Sequence, residues 1–493
     1  MLLRNVRVSG GSGELVDILP VNGMIASVAT ATGREMGVDL GGEWVSPGLW
    51  DNHVHFTQWA LLRQRLDVSA AGSAAEAALL VAAALASSGK RHVPLVGVGF
   101  RDGLWEDQPT AALLDAAAGD LPVVLVSGDL HCVWLNTAAL RLYGYDGHPS
   151  GVLRENEAFD VTTRINTAPV EVLDDWADAA ARAASSRGVV GIVDFEMSWN
   201  LGDWSRRMAA GSDCLRVEFG IYPEHLDRAI AEGLRTGDRV NELLNVGRVK
   251  IITDGSLNTR TAYNFRQYPG LHGHEHPNGM LTIAQGDLVS IMRRAHAGGL
   301  ECSVHAIGDH ANSLALDAFE TVGCHGRIEH AQLLADADFD RFGALGVEAS
   351  VQPEHAMDDR DVAERYWPGD TGRSFALRRL LDEGARLAFG SDAPVAPLDP
   401  WVSMAAAVSR GRDGRDSWHP EQSVSVAEAL RASTRGRVAV GERADLVVTP
   451  IDPLAASADQ LRDMPVSATL LGGRFTHRRG VPVERPARDA AIR

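Results

Sequence analysis

Apolar residues follow two rhythms along this chain. At both ends they form short strand-length runs broken by glycine turns. Residues 2–8 and 24–28 are apolar with β-branched content, around Gly10-Gly11 and Gly23. Residues 444–448 and 468–471 repeat the pattern before Gly472-Gly473. Two strand-rich ends predict one small β domain assembled from both termini. The middle instead alternates strand and helix. Strand-length runs occur at 44–50, 189–193, 217–221, 249–253, 300–305, 327–330, 347–351 and 387–390. Helix-length stretches such as 287–297, 311–321 and 375–383 lie between them. Eight such units predict a parallel (β/α)8 TIM barrel rather than an open sheet. The expected boundaries are 1–46 and 436–493 for the β-sandwich domain, with 47–435 for the barrel.

The rhythm breaks once. The segment at about 60–185 carries strands at 95–100 and 123–126 and an Ala-rich helix at 73–87. It reads as an α/β insertion on the loop after barrel strand 1. Loops of that kind sit at the C-terminal face of the barrel, where barrel active sites lie. The insertion is therefore expected to shape or cover a pocket.

Composition narrows the function. The 493 residues are 45% hydrophobic and 23% charged, which is globular usage, and the net charge is −18. That balance disfavours nucleic acid and anionic membranes as partners, since both need clustered Lys and Arg. The longest apolar run, 77–86, is too short to span a bilayer. Arginines at positions 4 and 7 stand where a signal peptide needs its apolar core. The four cysteines are scattered, without a CxxC pair, which fits a reducing compartment. A cytoplasmic protein acting on a small molecule is expected, with homo-oligomerisation left open.

Candidate chemistry falls at the ends of the predicted barrel strands. In Asp51-Asn52-His53-Val54-His55 the two histidines share one face of a strand, as two metal ligands would. Lys250 sits in an apolar strand, where a charged amine is costly to bury. It reads as a rim or ion-paired lysine, as a neutral base, or as a carbamate formed with carbon dioxide. His305 and His330 are one βα unit apart and can end adjacent strands, while Asp392 ends the last strand. Four imidazoles and a carboxylate suit Zn²⁺ or a related divalent ion. The cluster His272-Gly273-His274-Glu275-His276 lies in a Gly/Pro-containing loop and reads as a mobile lid.

With these motifs in this order, the chain resembles the metal-dependent amidohydrolase superfamily, in the family 3 branch that includes N-substituted formamide deformylases. The resemblance runs from Ser46-Pro47-Gly48-Leu49 through Asp254-Gly255-Ser256-Leu257, His305-Ala306-Ile307-Gly308-Asp309, Ile328-Glu329-His330-Ala331-Gln332 and Gly390-Ser391-Asp392 to Ala444-Asp445-Leu446-Val447-Val448. It implies a TIM barrel with a β-sandwich. It also implies two divalent ions, zinc by expectation: His53 and His55 on one, His305 and His330 on the other, carboxylated Lys250 bridging. Asp392 would ligate the first ion and shuttle protons. The implied reaction is cleavage of a non-peptide C–N bond by a metal-activated hydroxide. A deaminase or cyclic-imide hydrolase is the alternative on the same barrel, and Lys250 argues against a single-metal deaminase. His131, Arg260 and Arg154 are expected substrate contacts. Ala393 replaces the bulky aromatic common in relatives and is expected to reshape the pocket.

Overall fold

The computed structural model describes residues 1–32, 36–87, 93–100, 102, 105–127, 132–154, 156–166 and 168–480. By internal contacts the chain forms two compact units, Thr57–Ala180 and the remainder. No helix among the described residues is long and apolar enough to cross a membrane.

Eight parallel strands build the larger unit's barrel: Leu49–Val54, Val189–Asp194, Arg216–Ile221, Leu244–Ile252, Cys302–Ala306, Gly326–His330, Glu348–Val351 and Arg386–Phe389, here barrel strands 1 to 8. Strands 1 and 8 are joined just past the end of strand 8. The Asp392 amide donates to the His53 carbonyl at 2.7 Å, and the His55 amide donates to the Ala393 carbonyl at 2.8 Å. Helices follow strands 2 to 8, among them Gln285–Ala297, Asp309–Val322 and Leu377–Asp382. The predicted runs are all recovered, with one correction. The run at 44–50 is two strands. Trp44–Pro47 pairs with strands of the terminal sheet, and the barrel begins at Leu49. The chain crosses between sheets at Gly48, where a Cβ would meet Val190 at 2.3 Å. The preceding Pro47 has no amide proton to give a ladder.

Strands from both chain ends make an eight-stranded sheet in which Leu3–Val8 sits between the two halves. Ile18 and Ile25 from one half share a buried core with Val448 and Leu470 from the other, the packing of a small sandwich.

The unit Thr57–Ala180 holds a five-stranded sheet. Period-two alternation decides its layers. Val123 and Leu125 pack with Ala77 and Val81 of helix Ala74–Ser87. Val124 and Val126 face the other way, onto Ala139, Leu140 and Val161. The sheet is thus covered on both faces, as an α/β unit requires.

Candidate metal centre

The barrel register brings the expected groups together. Lys250 pairs with Ser303, Ile252 with His305, and Ala306 with His330, so strands 4, 5 and 6 deliver their side chains to one end. Ligand-capable atoms of His53, His330 and Asp392 all lie within 4.8 Å of one another. Asp392 Oδ1 is 3.5 Å from His53 Nε2 and 3.4 Å from His55 Nε2. The Lys250 amine is 3.3 Å from His53 Nε2. The rings of His305 and His330 stand edge-on, 4.4 Å between centroids. His330 and Asp392 both hold positive φ angles, +73° and +56°, strained values for residues with a Cβ.

His55 Nδ1, His305 Nε2 and His330 Nδ1 are buried and make no hydrogen bond. Buried polar atoms are almost always satisfied, so the orphaned nitrogen of His330, grouped with His53 and Asp392, fits a divalent ion, while His55 and His305 stand beside that group and outside its 4.8 Å span. The protonation states agree. Burial, followed by the nearby Lys250 ammonium, lowers His53 to about 4. Burial and the neighbouring His305 hold His330 well below the usual histidine range. Both imidazoles are therefore neutral and free to donate a lone pair. Burial alone would raise the Asp392 carboxyl. The neighbouring His53 and the hydrogen bond with His55 outweigh it and hold the group well below the usual carboxylate range. Burial brings Lys250 down to about 8, so roughly a tenth of its amine is uncharged at pH 7.

Two carboxylates orient this cluster. Glu329 is fully buried and accepts from His53 Nδ1 at 2.8 Å and from the Ser303 hydroxyl. That contact fixes the His53 tautomer and leaves Nε2 for the centre. Asp254 accepts from the Ile307, Gly308 and Tyr263 amides and stands 3.4 Å from His305 Nε2. Glu329 precedes His330 in the motif at 328–332. A carboxylate inside an apolar strand, beside a candidate ligand, was the available signal.

A cavity of about 560 Å³ opens over the cluster. Met197, Ile252, Leu257, Ile307 and Val395 give it an apolar side, while Asn258, Gln332, His355 and Asp359 give it a polar one. His355 follows strand 7, lies parallel to His330 at 6.3 Å and has an unpartnered Nε2. Sequence reasoning passed over it.

Other expectations fall elsewhere. Arg260 stacks on Tyr366, 5.5 Å from the ring centroid, and is not among the cavity-lining residues. Arg154 pairs with Asp102 at 3.0 Å in the other unit. His131 lies outside the described residues. Ala393 is fully buried and is not among the cavity-lining residues, whereas Val395 lines the wall. In the loop after strand 4, His272 bonds Gln267 and His276 stands beside Glu275.

The amidohydrolase family model matches residues 37–477 of this sequence. The chain belongs to the amidohydrolase family. Among its relatives, Protein LONG AFTER FAR-RED 3 of Arabidopsis thaliana is 29% identical, over 91% of this chain and 86% of that one. N-substituted formamide deformylase of Arthrobacter pascens is 25% identical, over 90% of each. The crystal structure of an uncharacterized metal-dependent hydrolase from Pyrococcus horikoshii superposes with a TM-score of 0.76 at 26% identity, covering 93% of this chain and 99% of that one. As an amidohydrolase, this chain carries a hydrolase barrel with a cluster suited to a divalent metal at its mouth.

Proposed function

We infer that this amidohydrolase cleaves the C–N bond of a non-peptide amide, formamide or related N-acyl compound. The observation that carries the reading is the convergence of His53, His330 and Asp392 within 4.8 Å under an open cavity. His53 and His55 would hold one ion and His305 and His330 a second, with zinc the best match to these donors. Lys250 would bridge them as a carbamate. Its neutral amine attacks carbon dioxide, a proton leaves to solvent, and the anionic product gains two oxygen donors. The buried, partly uncharged amine 3.3 Å from His53 supports that role.

A divalent ion bound here supplies Lewis-acid polarisation of a carbonyl and lowers the pKa of bound water to about 7. The chain's own residues do the rest. Glu329 fixes the His53 ring, so Nε2 has one orientation. Asp392 is ionised and accepts a proton at its carboxylate oxygen, then returns it to the departing nitrogen. Met197, Ile252, Leu257 and Ile307 keep water from the apolar part of the substrate. Asn258, Gln332 and His355 offer hydrogen bonds on the opposite wall.

Metal analysis combined with a screen of N-formyl, N-acyl and cyclic amides tests the reading. Two ions per chain with turnover of acyclic N-formyl or N-acyl amides is the expected result. One ion per chain with ammonia release from an aminated ring would replace it by deamination.

A further inference from the structure

A second cavity lies at the opposite end of the barrel from the metal cluster. Its volume is about 480 Å³, within the range of small-molecule sites. It is framed by residues that begin strands rather than end them: Gly326, Glu348 and Arg386 open strands 6, 7 and 8. Five arginines line it against three glutamates, an excess of positive charge in a chain of net charge −18.

The glutamates are all committed. Glu348 pairs with Arg327 at 2.9 Å, Glu301 with Arg248 at 2.9 Å, and Glu218 with Arg435. Arg386 and Arg431 remain. Among the described residues neither has a carboxylate within salt-bridge distance, and both are exposed to the cavity side of the floor. Beneath them Arg327 is 3% exposed, and its Nε makes no hydrogen bond, standing 3.9 Å from Glu329 Oε1. Burial, then the charge of Arg327, pulls Arg248 below the usual arginine range. Burial acts on Arg327 as well, but Glu348 and Glu329 outweigh it and hold that group above the range. The uncompensated charge is therefore that of Arg386 and Arg431, and guanidinium groups do not discharge at physiological pH. Their planar forks match the paired oxygens of phosphate and carboxylate.

We propose that this floor cavity binds a small dianion, a phosphate ester or a dicarboxylate, held by Arg386 and Arg431 above the buried arginines. The site is independent of the hydrolytic reading, because neither arginine touches the metal cluster or its cavity. A volume of 480 Å³ leaves room for an organic body beyond one anionic group.

Titration calorimetry on the metal-loaded protein with inorganic phosphate and with succinate tests this. Saturable one-site binding of at least one anion is expected, weakening as salt rises. The tighter ligand identifies the class, phosphate ester or dicarboxylate. The double variant Arg386→Ala/Arg431→Ala should lose at least about tenfold in affinity, as expected for lost charge-assisted hydrogen bonds, while keeping its metal content. The single variants Arg386→Gln and Arg431→Gln should each lose part of it, which covers a double variant that fails to fold. The exposed Arg293→Ala on helix Gln285–Ala297 should change nothing. No saturable binding of either anion would overturn the proposal. So would undiminished affinity in the arginine variants, or an equal loss in Arg293→Ala.

Discussion

Two side chains, Asp392 and Lys250, carry most of the site's acid–base chemistry. Asp392 is ionised and sits between His53 and His55, within 3.5 Å of both. Replacing it by Asn keeps the size and a ligating oxygen but removes the proton acceptor. Asp392→Asn should lower kcat by roughly 10²–10⁴-fold, the usual worth of a positioned acid–base group, with metal still bound. Parallel kinetics and metal analysis check it, and near-normal turnover would remove Asp392 from proton transfer. Lys250 makes a prediction about stability. Its folded pKa is lowered to about 8 from the usual 10.5 of a lysine, chiefly by burial. Between those values the unfolded chain binds more protons than the folded one, so stability of the metal-free protein rises with pH across that window. Below about pH 8 the full penalty of a buried ammonium applies, on the order of 3 kcal/mol. Lys250→Met removes the group. Its stability advantage over the parent should therefore shrink from about pH 8 to 10.5, measured by urea unfolding in chelator and carbon-dioxide-free buffer. A constant difference would mean Lys250 does not titrate in that range.

At the scale of elements, the site depends on how closely strands 1 and 8 meet. Gly390 follows strand 8, and a Cβ there would lie 2.6 Å from His53 Cβ and 2.7 Å from its amide nitrogen. Gly390→Ala must push the His53 backbone aside. Overpacking of this kind costs about 1–3 kcal/mol, and the displaced ring should bind metal more weakly. Chemical denaturation and metal titration of the one variant read both effects. Wild-type values in both would show that the strands separate freely. The same elements show what the sequence could reveal. Strand positions were legible because parallel barrel strands are buried on both faces and read as short apolar runs between helices. His53, His55, His305, His330 and Asp392 were legible because polar groups interrupt those runs at one end. The break at Gly48 was not, since apolar residues flank Ser46-Pro47-Gly48 on both sides and only three-dimensional pairing assigns the two halves to different sheets. His355 was not either, because it begins a helix past strand 7 and only folding turns it toward His330. Arg260 misled for the matching reason. Its charge suggested a ligand, while the turn it occupies directs it to Tyr366.

At the scale of the whole molecule, the cluster joins parts of the chain that nothing local connects. His53 of strand 1, His330 at the end of strand 6 and Asp392 in the loop after strand 8 bring ligand atoms to one point, so an ion there would close the barrel mouth across distant segments. In its absence the same donors are costly. Neutral imidazoles with unpartnered nitrogens and an ionised carboxylate lie desolvated, without the charge that would satisfy them. Metal should accordingly stabilise the folded state well beyond its neighbours' contacts. Binding to the native state alone contributes about 4 kcal/mol when free metal exceeds Kd a thousandfold. Chelation should lower Tm by several degrees in scanning calorimetry, and added zinc should restore it. His330→Asn supplies the control, because Asn tolerates the positive φ at that position while giving up the imidazole. That variant should melt near the chelated parent and respond weakly to zinc. If chelation leaves the parent's Tm unchanged, the donors satisfy one another and the mouth of this barrel is held by hydrogen bonds alone.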